Sequence, residues 1–278
     1  MAQTLFGPLG HEPDPKPVGD LRTRMTVLVT VKAAPNPSEK YGETVCLAGI
    51  HADLIRRGWV RLYPINFRDL PIQDAFNKYQ FITLEAFPAR NDQRRESWRP
   101  VLSSIVKGDT LKPWKPRRSW LDEYVEDSMC RLNADARARS DAKSLALVRP
   151  REVYQLRIAP HPGWNPDEQR KIDQYVRQMD LLDPRDKRPL QAPRFQARYH
   201  YRCYEPGCKG HEQGLLDWEF VALQRHLAGW PDPEIRAQLE ARFLTTMFDA
   251  SRDPAFYVGN QAKRAHVFSV LGVYYPQR

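Results

Sequence analysis

The chain has 278 residues, 41% hydrophobic and 11% aromatic, with a mean hydropathy of −0.65. That composition excludes a mainly disordered protein, and no apolar run approaches the roughly 18–20 residues that a membrane helix needs. A net charge of +9 and a pI near 9.4 point to a polyanionic partner, DNA or RNA.

Residues 1–24 are rich in Pro and Gly, lack the apolar segment of a secretory signal, and read as a disordered leader. The β-branched run 25–32 predicts a strand, closed by Pro35 and Pro37. Residues 43–50, 58–64 and 79–87 predict three more short strands separated by turn residues, the pattern of a small antiparallel barrel. In the strand over 58–64, Trp59, Arg61 and Tyr63 share one face and Val60 and Leu62 the other, so an aromatic–Arg–aromatic row is expected outside.

Residues 90–118, with Pro100, Pro113 and Pro116, read as an extended loop. From Arg90 to Trp120 nine basic residues face three acids, with Trp98, Trp114 and Trp120 interleaved. Such a segment suits a groove for single-stranded or distorted nucleic acid. Arg61, Arg94, Arg95, Arg99, Lys115, Arg117 and Arg118 would neutralise phosphates. Trp59, Tyr63, Trp98 and Trp114 would stack bases, each stack contributing about 1–3 kcal/mol. The competing reading is a solvated loop pinned to the barrel by its tryptophans.

A helix capped by Ser119 is expected to run through Trp120, Tyr124 and Leu132 toward Arg139. Residues 144–158 predict a strand that opens a second β unit, followed by a helix over 166–182 and a strand over 195–203. Helices over 218–227 and 232–248 and a strand over 267–275 complete the chain, with a hairpin expected around Gly259 to His266. The expected organisation is thus a leader (1–24), a barrel with its basic loop (25–118), and a helix with a second β unit and C-terminal helices (119–278).

Four cysteines, Cys46, Cys130, Cys203 and Cys208, are too few and too scattered for a disulfide framework and fit a reduced, cytoplasmic setting. Cys203, Cys208 and His211 fall on a tight turn built by Pro206, Gly207 and Gly210, which supplies three of the four ligands of a tetrahedral Zn2+ site. His200 is the first choice for the fourth; Asp217, His226, Cys130 and His266 are alternatives, and free thiols are the competing reading. Cys46, inside an apolar run, reads as a buried inert thiol.

Asp217 and Glu219, with His211, are the weak catalytic candidates, as a divalent-ion or acid–base site acting on a phosphodiester or a base. The competing structural role is strong, because Asp217 can cap the helix that starts at Trp218. No phosphate loop, nucleophile elbow, His-Glu-x-x-His helix or dinucleotide fingerprint occurs, which argues against an NTPase, an α/β hydrolase and a zincin.

The run from Lys40 to Ile50, with its Cys46-Leu-Ala-Gly49, and the run Gly58-Trp-Val-Arg-Leu-Tyr-Pro64 resemble the opening of bacterial proteins with paired OB-like small barrels. The resemblance covers about the first third of the chain. It implies a pair of small β-barrels and a tendency toward nucleic-acid binding, often among bacterial mobile-element or antiviral defence genes. With the elements above, the expected fold is α+β, two small antiparallel β-barrels, the second carrying the zinc knuckle and C-terminal helices. A protein-binding subunit of a larger complex is the alternative partner reading.

Overall fold

The structure, a computed structural model, describes residues 16–17, 19–53, 58–66, 75–177, 188–262 and 264–278. Most of the expected leader, the end of the helix expected over 166–182, and Lys263 lie outside the described residues.

The first half forms β1 (Thr23–Lys32), β2 (Asn36–Ser38), β3 (Gly42–His51), β4 (Trp59–Ile65), β5 (Gln80–Pro88), β6 (Ser97–Pro100) and β7 (Val106–Thr110). Strands β1, β3, β4, β6 and β5 pair in that order, and β5 pairs back onto β1 from Thr23↔Ala86 to Leu28↔Phe81. The result is a closed five-stranded barrel, which leaves its ladder without a free edge. Its interior holds Met25, Val27, Leu47, Val60, Leu62 and Leu84, the inward half of each alternating strand. At Gly49 a Cβ would sit 2.4 Å from the Leu28 carbonyl oxygen, so the β1–β3 approach requires glycine.

The stretch expected as an irregular loop contributes β6, whose parallel contact with β4 (Leu62↔Trp98) completes the barrel, and the fully exposed β7. The single helix expected from Ser119 is two. Helix α1 (Lys115–Leu121) ends in a 3-10 turn over Asp122–Tyr124, and after β8 (Val125–Glu126) comes α2 (Met129–Ala138). Ser128, not Ser119, caps α2 by accepting from the Arg131 N–H. The strand expected over 144–158 breaks at Arg149 into β9 (Leu145–Val148) and β10 (Pro150–Pro160).

The second half continues with α3 (Pro166–Arg177), β11 (Phe195–Cys203), β12 (His211–Gly214), α4 (Trp218–His226), α5 (Asp232–Glu240), β13 (Ala255–Gln261) and β14 (Arg264–Tyr274). Its strands form two sheets, β10–β11–β12 and β14–β13–β9–β8, joined by the isolated Leu215–Val270 bridge. Where a second closed barrel was expected, the described residues therefore form two open sheets packed on one core. No helix among the described residues is long and apolar enough to cross a membrane.

The two halves share a buried seam. Leu28, Ala48, Ile50 and Trp59 of the barrel pack with Leu145, Leu147, Tyr257 and Tyr274 of the second unit. Trp59 meets Tyr124 and Tyr257 edge-on, at 5.6 and 6.3 Å between ring centroids. The expected outward row is thereby corrected: Trp59 and Arg61 are 2% and 4% exposed, because the second unit covers them, and only Tyr63 of the three is exposed. Arg61 donates from Nη2 to the Ser144 carbonyl (3.1 Å) and hydroxyl (3.0 Å), and from Nη1 to Cys46 Sγ (3.2 Å). Ser144 in turn donates its N–H (2.9 Å) and its hydroxyl to Glu96.

Ser144 is the neutral link between a buried cation and a buried carboxylate, so Ser144→Ala should cost about 1–3 kcal/mol. Urea unfolding followed by fluorescence and by far-ultraviolet dichroism should show that loss in one shared transition for both halves. A loss below about 0.5 kcal/mol would remove the network from the seam's stability.

Candidate metal centre and basic surfaces

Cys130, Cys203, Cys208 and His211 converge, with their ligand atoms all within 4.8 Å of one another. Cys130 lies in the first turn of α2, Cys203 ends β11, Cys208 sits in the following turn, and His211 begins β12. Gly207 and Gly210 adopt φ of 76° and 107°, which lets the turn fold back tightly. Arg131 pairs with Glu205 (2.8 Å), and the Tyr204 N–H donates to Asp127, so the turn is also tied to the start of α2.

His211 Nε2 lies 3.3, 3.4 and 3.5 Å from the sulfurs of Cys208, Cys203 and Cys130, and the Cys130 and Cys203 sulfurs are 3.7 Å apart. One imidazole nitrogen cannot serve three sulfurs with one proton. Around a tetrahedral metal, bonds of about 2.3 Å to sulfur and about 2.0–2.1 Å to nitrogen place the ligand atoms roughly 3.5–3.8 Å apart. The donor set therefore fits a metal ion. Burial lowers the pKa of His211, disfavouring the imidazolium form. Burial and the neighbouring thiols push Cys130 up to about 12. Burial opposes ionisation of Cys203, yet backbone donors bring its thiol below the usual value.

The fourth member is Cys130, and His200 is corrected out of the site. Along β11 the inward residues are Tyr199, Tyr201 and Cys203, so His200, three before Cys203, faces the other way. Its Nε2 is 3.8 Å from Glu212 Oε1. Asp217, His226 and His266 are likewise outside the cluster.

The basic loop straps the two halves together. Arg94 holds Asp92 and donates to the Asn260 carbonyl (2.9 Å), and Arg95 pairs with Asp141. Arg118 pairs with Asp122 and Asp253, at 2.9 and 3.6 Å. Arg117 lies 3.8 Å over the Tyr79 ring and donates to the Leu111 carbonyl. Trp114 packs edge-on against Tyr275, at 4.8 Å. Trp98, 4% exposed, is in the barrel core and offers no face to a base. Of the expected contact residues, Tyr63, Arg99 and Lys115 remain exposed.

A different basic surface is on the outer face of the β10–β11–β12 sheet. Register places Arg157 beside Arg198, Gln155 beside His200, and Glu152 beside Arg202, all on one side. Tyr154 is 46% exposed and lies under Arg202, 5.5 Å from guanidinium to ring centroid. The alternation of Arg198, His200 and Arg202 along β11 was the sequence signal for this face.

Asp217 caps α4, accepting from the Glu219 N–H at 2.9 Å. Lys78 of the barrel stands 3.8 Å from Asp217 and 3.7 Å from Glu219, so a fixed positive charge already occupies the space between these carboxylates. Burial pushes the Asp217 carboxyl up to about 6 against the pull of Lys78, and the two acids raise Lys78 above the ordinary lysine value despite burial. His211 faces the sulfurs instead, so the three catalytic candidates share no common partner.

A closed barrel docked on a two-sheet unit that carries a Cys3His cluster defines a two-part α+β protein. Residues 125–278, more than half of the chain, match the family described as Domain of unknown function (DUF8757), and the chain belongs to that family. Residues 23–123 match a second family described as Domain of unknown function (DUF8758). No curated protein matches the chain. Among solved structures, the tetrameric p202 HIN2 is similar at 8% identity and a TM-score of 0.31, covering 95% of this chain and 100% of that one. A murine DNA-binding protein bound to double-stranded DNA is similar at 8% identity and a TM-score of 0.30, covering 91% of this chain and 94% of that one. Both likenesses are loose, and neither bears on what this chain binds.

Cys130→Ser should abolish metal retention in elemental analysis of the purified protein, whereas His200→Ala should leave it unchanged. The reverse pattern would dismiss the four-residue site.

Proposed function

We propose that this protein binds single-stranded nucleic acid along the outer face of the β10–β11–β12 sheet, and that its Cys3His cluster holds structural zinc. The observation that carries the reading is the outward row of Arg157, Arg198 and Arg202 with Tyr154 beside it. Arg94, Arg95, Arg117 and Arg118 of the loop are engaged within the protein, whereas Arg157 and Arg198 are exposed and Arg202 is half-buried, with Glu152 in register with Arg202 and Glu212 3.7 Å from Arg198. A row of guanidinium groups suits phosphates spaced along a strand, and an exposed tyrosine offers a base a stacking surface. In OB-like barrels the usual oligonucleotide face lies on the second and third strands. Here residues of the corresponding pair, β3 and β4, are covered by the second unit, which favours the sheet as the interface.

Zinc is favoured by three thiols and an imidazole, soft and borderline donors in a tetrahedral set. Four protein ligands close the coordination shell, so the ion would fasten α2 to the β11–β12 turn rather than activate water. About one zinc per chain is expected. Chelation should destabilise the protein by at least about 3 kcal/mol, a fall of roughly 6–12 °C in Tm. A metal-free protein with the same Tm would rule the structural ion out.

Fluorescence anisotropy with labelled single-stranded DNA and RNA 20-mers tests the interface. Arg157→Glu with Arg202→Glu should weaken binding by about tenfold or more and lower the salt slope by roughly 1.4. Neutralising Arg99 and Lys115, which add only to the surrounding field, should cost about twofold. Unchanged affinity and slope in the double variant would discard this face.

A further inference from the structure

A cavity of about 370 Å³ lies between the start of β2, the turn before α3, β11, the segment leading into α4 and the β13–β14 hairpin. Its volume falls within the roughly 300–1,000 Å³ of small-molecule sites. One wall is an aromatic corner formed by His161 and Trp164, edge-on at 5.5 Å. The corner is held in place before any ligand arrives. Trp164 Nε1 donates to the Leu190 carbonyl (2.9 Å), the Gly163 N–H donates to His161 Nδ1 (3.1 Å), and Gly163 takes a φ of 86° that the turn requires. The floor is apolar, with Phe195, Leu215, Phe220 and Phe268 buried beneath it and Leu216 left 39% exposed. Buried Gln224 fixes the floor by bonding both the N–H and the carbonyl of Phe195.

The rim is cationic. Arg198, Arg225 and Arg264 line it, and Glu212, 3.7 Å from Arg198, is the acid among its described lining. Arg264 contacts the side chain of Gln261, a neutral partner, at 2.8 and 3.1 Å. A rigid aromatic wall, an apolar floor and several guanidinium groups at the mouth together call for a flat ring that carries an anionic group on a short tether. We propose that this cavity takes one nucleotide unit, its base against Trp164 and the floor and its phosphate at Arg264 and Arg225. Such a pocket would bind a strand end or a base turned out of its stack, beside the sheet face that Arg198 shares with it. The choice of ligand class rests on the nucleic-acid reading above; the cavity and its corner do not.

Gly214 lines the cavity, and a Cβ there would meet nothing within 4 Å, so Gly214→Leu fills the space without a backbone clash. Calorimetric titration of the full chain with the four nucleoside 5′-monophosphates, adenosine and inorganic phosphate tests the proposal. At least one monophosphate should saturate below about 1 mM, at least tenfold tighter than adenosine or phosphate alone. Gly214→Leu should abolish that binding and Arg264→Ala should weaken it about tenfold, with Tm unchanged. If Gly214→Leu does not fold, Leu216→Glu at the half-exposed floor should give the same loss. Absence of saturation by any monophosphate, phosphate binding as well as the nucleotides, or variants that bind like the wild type would overturn the pocket. Arg157→Glu with Arg202→Glu separates the two sites. Strand binding that survives without mononucleotide binding defeats the pocket alone, and mononucleotide binding without strand binding defeats the sheet face alone.

Discussion

The seam between barrel and second unit decides what every other surface can do. Ala48, Ile50 and Trp59 come from the β3–β4 pair, and covering them removes that pair's outer face from solvent. Apolar burial drives the contact without fixing its register, because hydrophobic attraction has no direction. Direction comes from the polar link inside it. The guanidinium of Arg61 and the carboxylate of Glu96 would each be costly if left alone in this setting. Each is hydrogen-bonded to Ser144, Arg61 to its carbonyl and hydroxyl and Glu96 to its N–H and the same hydroxyl. That requirement places the start of β9, and with it Leu145 and Leu147, against the barrel.

The loop from Arg90 to Trp120 shows why concentrated charge misleads when partners are distant in sequence. Arg95 meets Asp141, Arg94 meets Asn260, and Arg118 meets Asp253. None of these partners is near the loop in sequence, so composition counts the cations as surplus while the fold pairs them with the second unit. The tryptophans behave alike. Trp98 fills the barrel, and Trp114 packs on Tyr275 with Arg117 beside it. Individually such exposed or half-exposed pairs contribute little, but together they hold a seam already closed by apolar packing.

Alternation made the first strands legible, since residues 25–32 and 79–87 carry β-branched and aromatic side chains at period two. The same test fails for β6, a four-residue Ser-Trp-Arg-Pro, and for β7, whose five residues are all exposed. Their pairing is set by barrel closure, a long-range constraint with no local signature. Parity also decides against His200. A residue three before Cys203 on a strand must face away from it, which excludes His200 on grounds present in the sequence. Cys130 had no comparable signal, because 73 residues separate it from Cys203 and only the fold brings α2 to the end of β11.

One strand then carries both halves of the functional reading. The inward residues of β11 run from Phe195 through Tyr199 and Tyr201 to Cys203, so the core and one member of the Cys3His cluster lie on the same side. Its outward residues are Gln196, Arg198, His200 and Arg202, which give the solvent face its charge and one edge of the cavity. Fastening Cys203 and His211 to α2 would hold the strand end next to Arg202, while Gln224 holds Phe195 at the other end. Between two ends so fixed the arginines would keep a constant spacing. The strand binding proposed above would benefit from that rigidity, because less side-chain and backbone freedom is lost when the partner arrives. The ion's contribution to binding would therefore be made at a distance, through the strand, without touching the ligand.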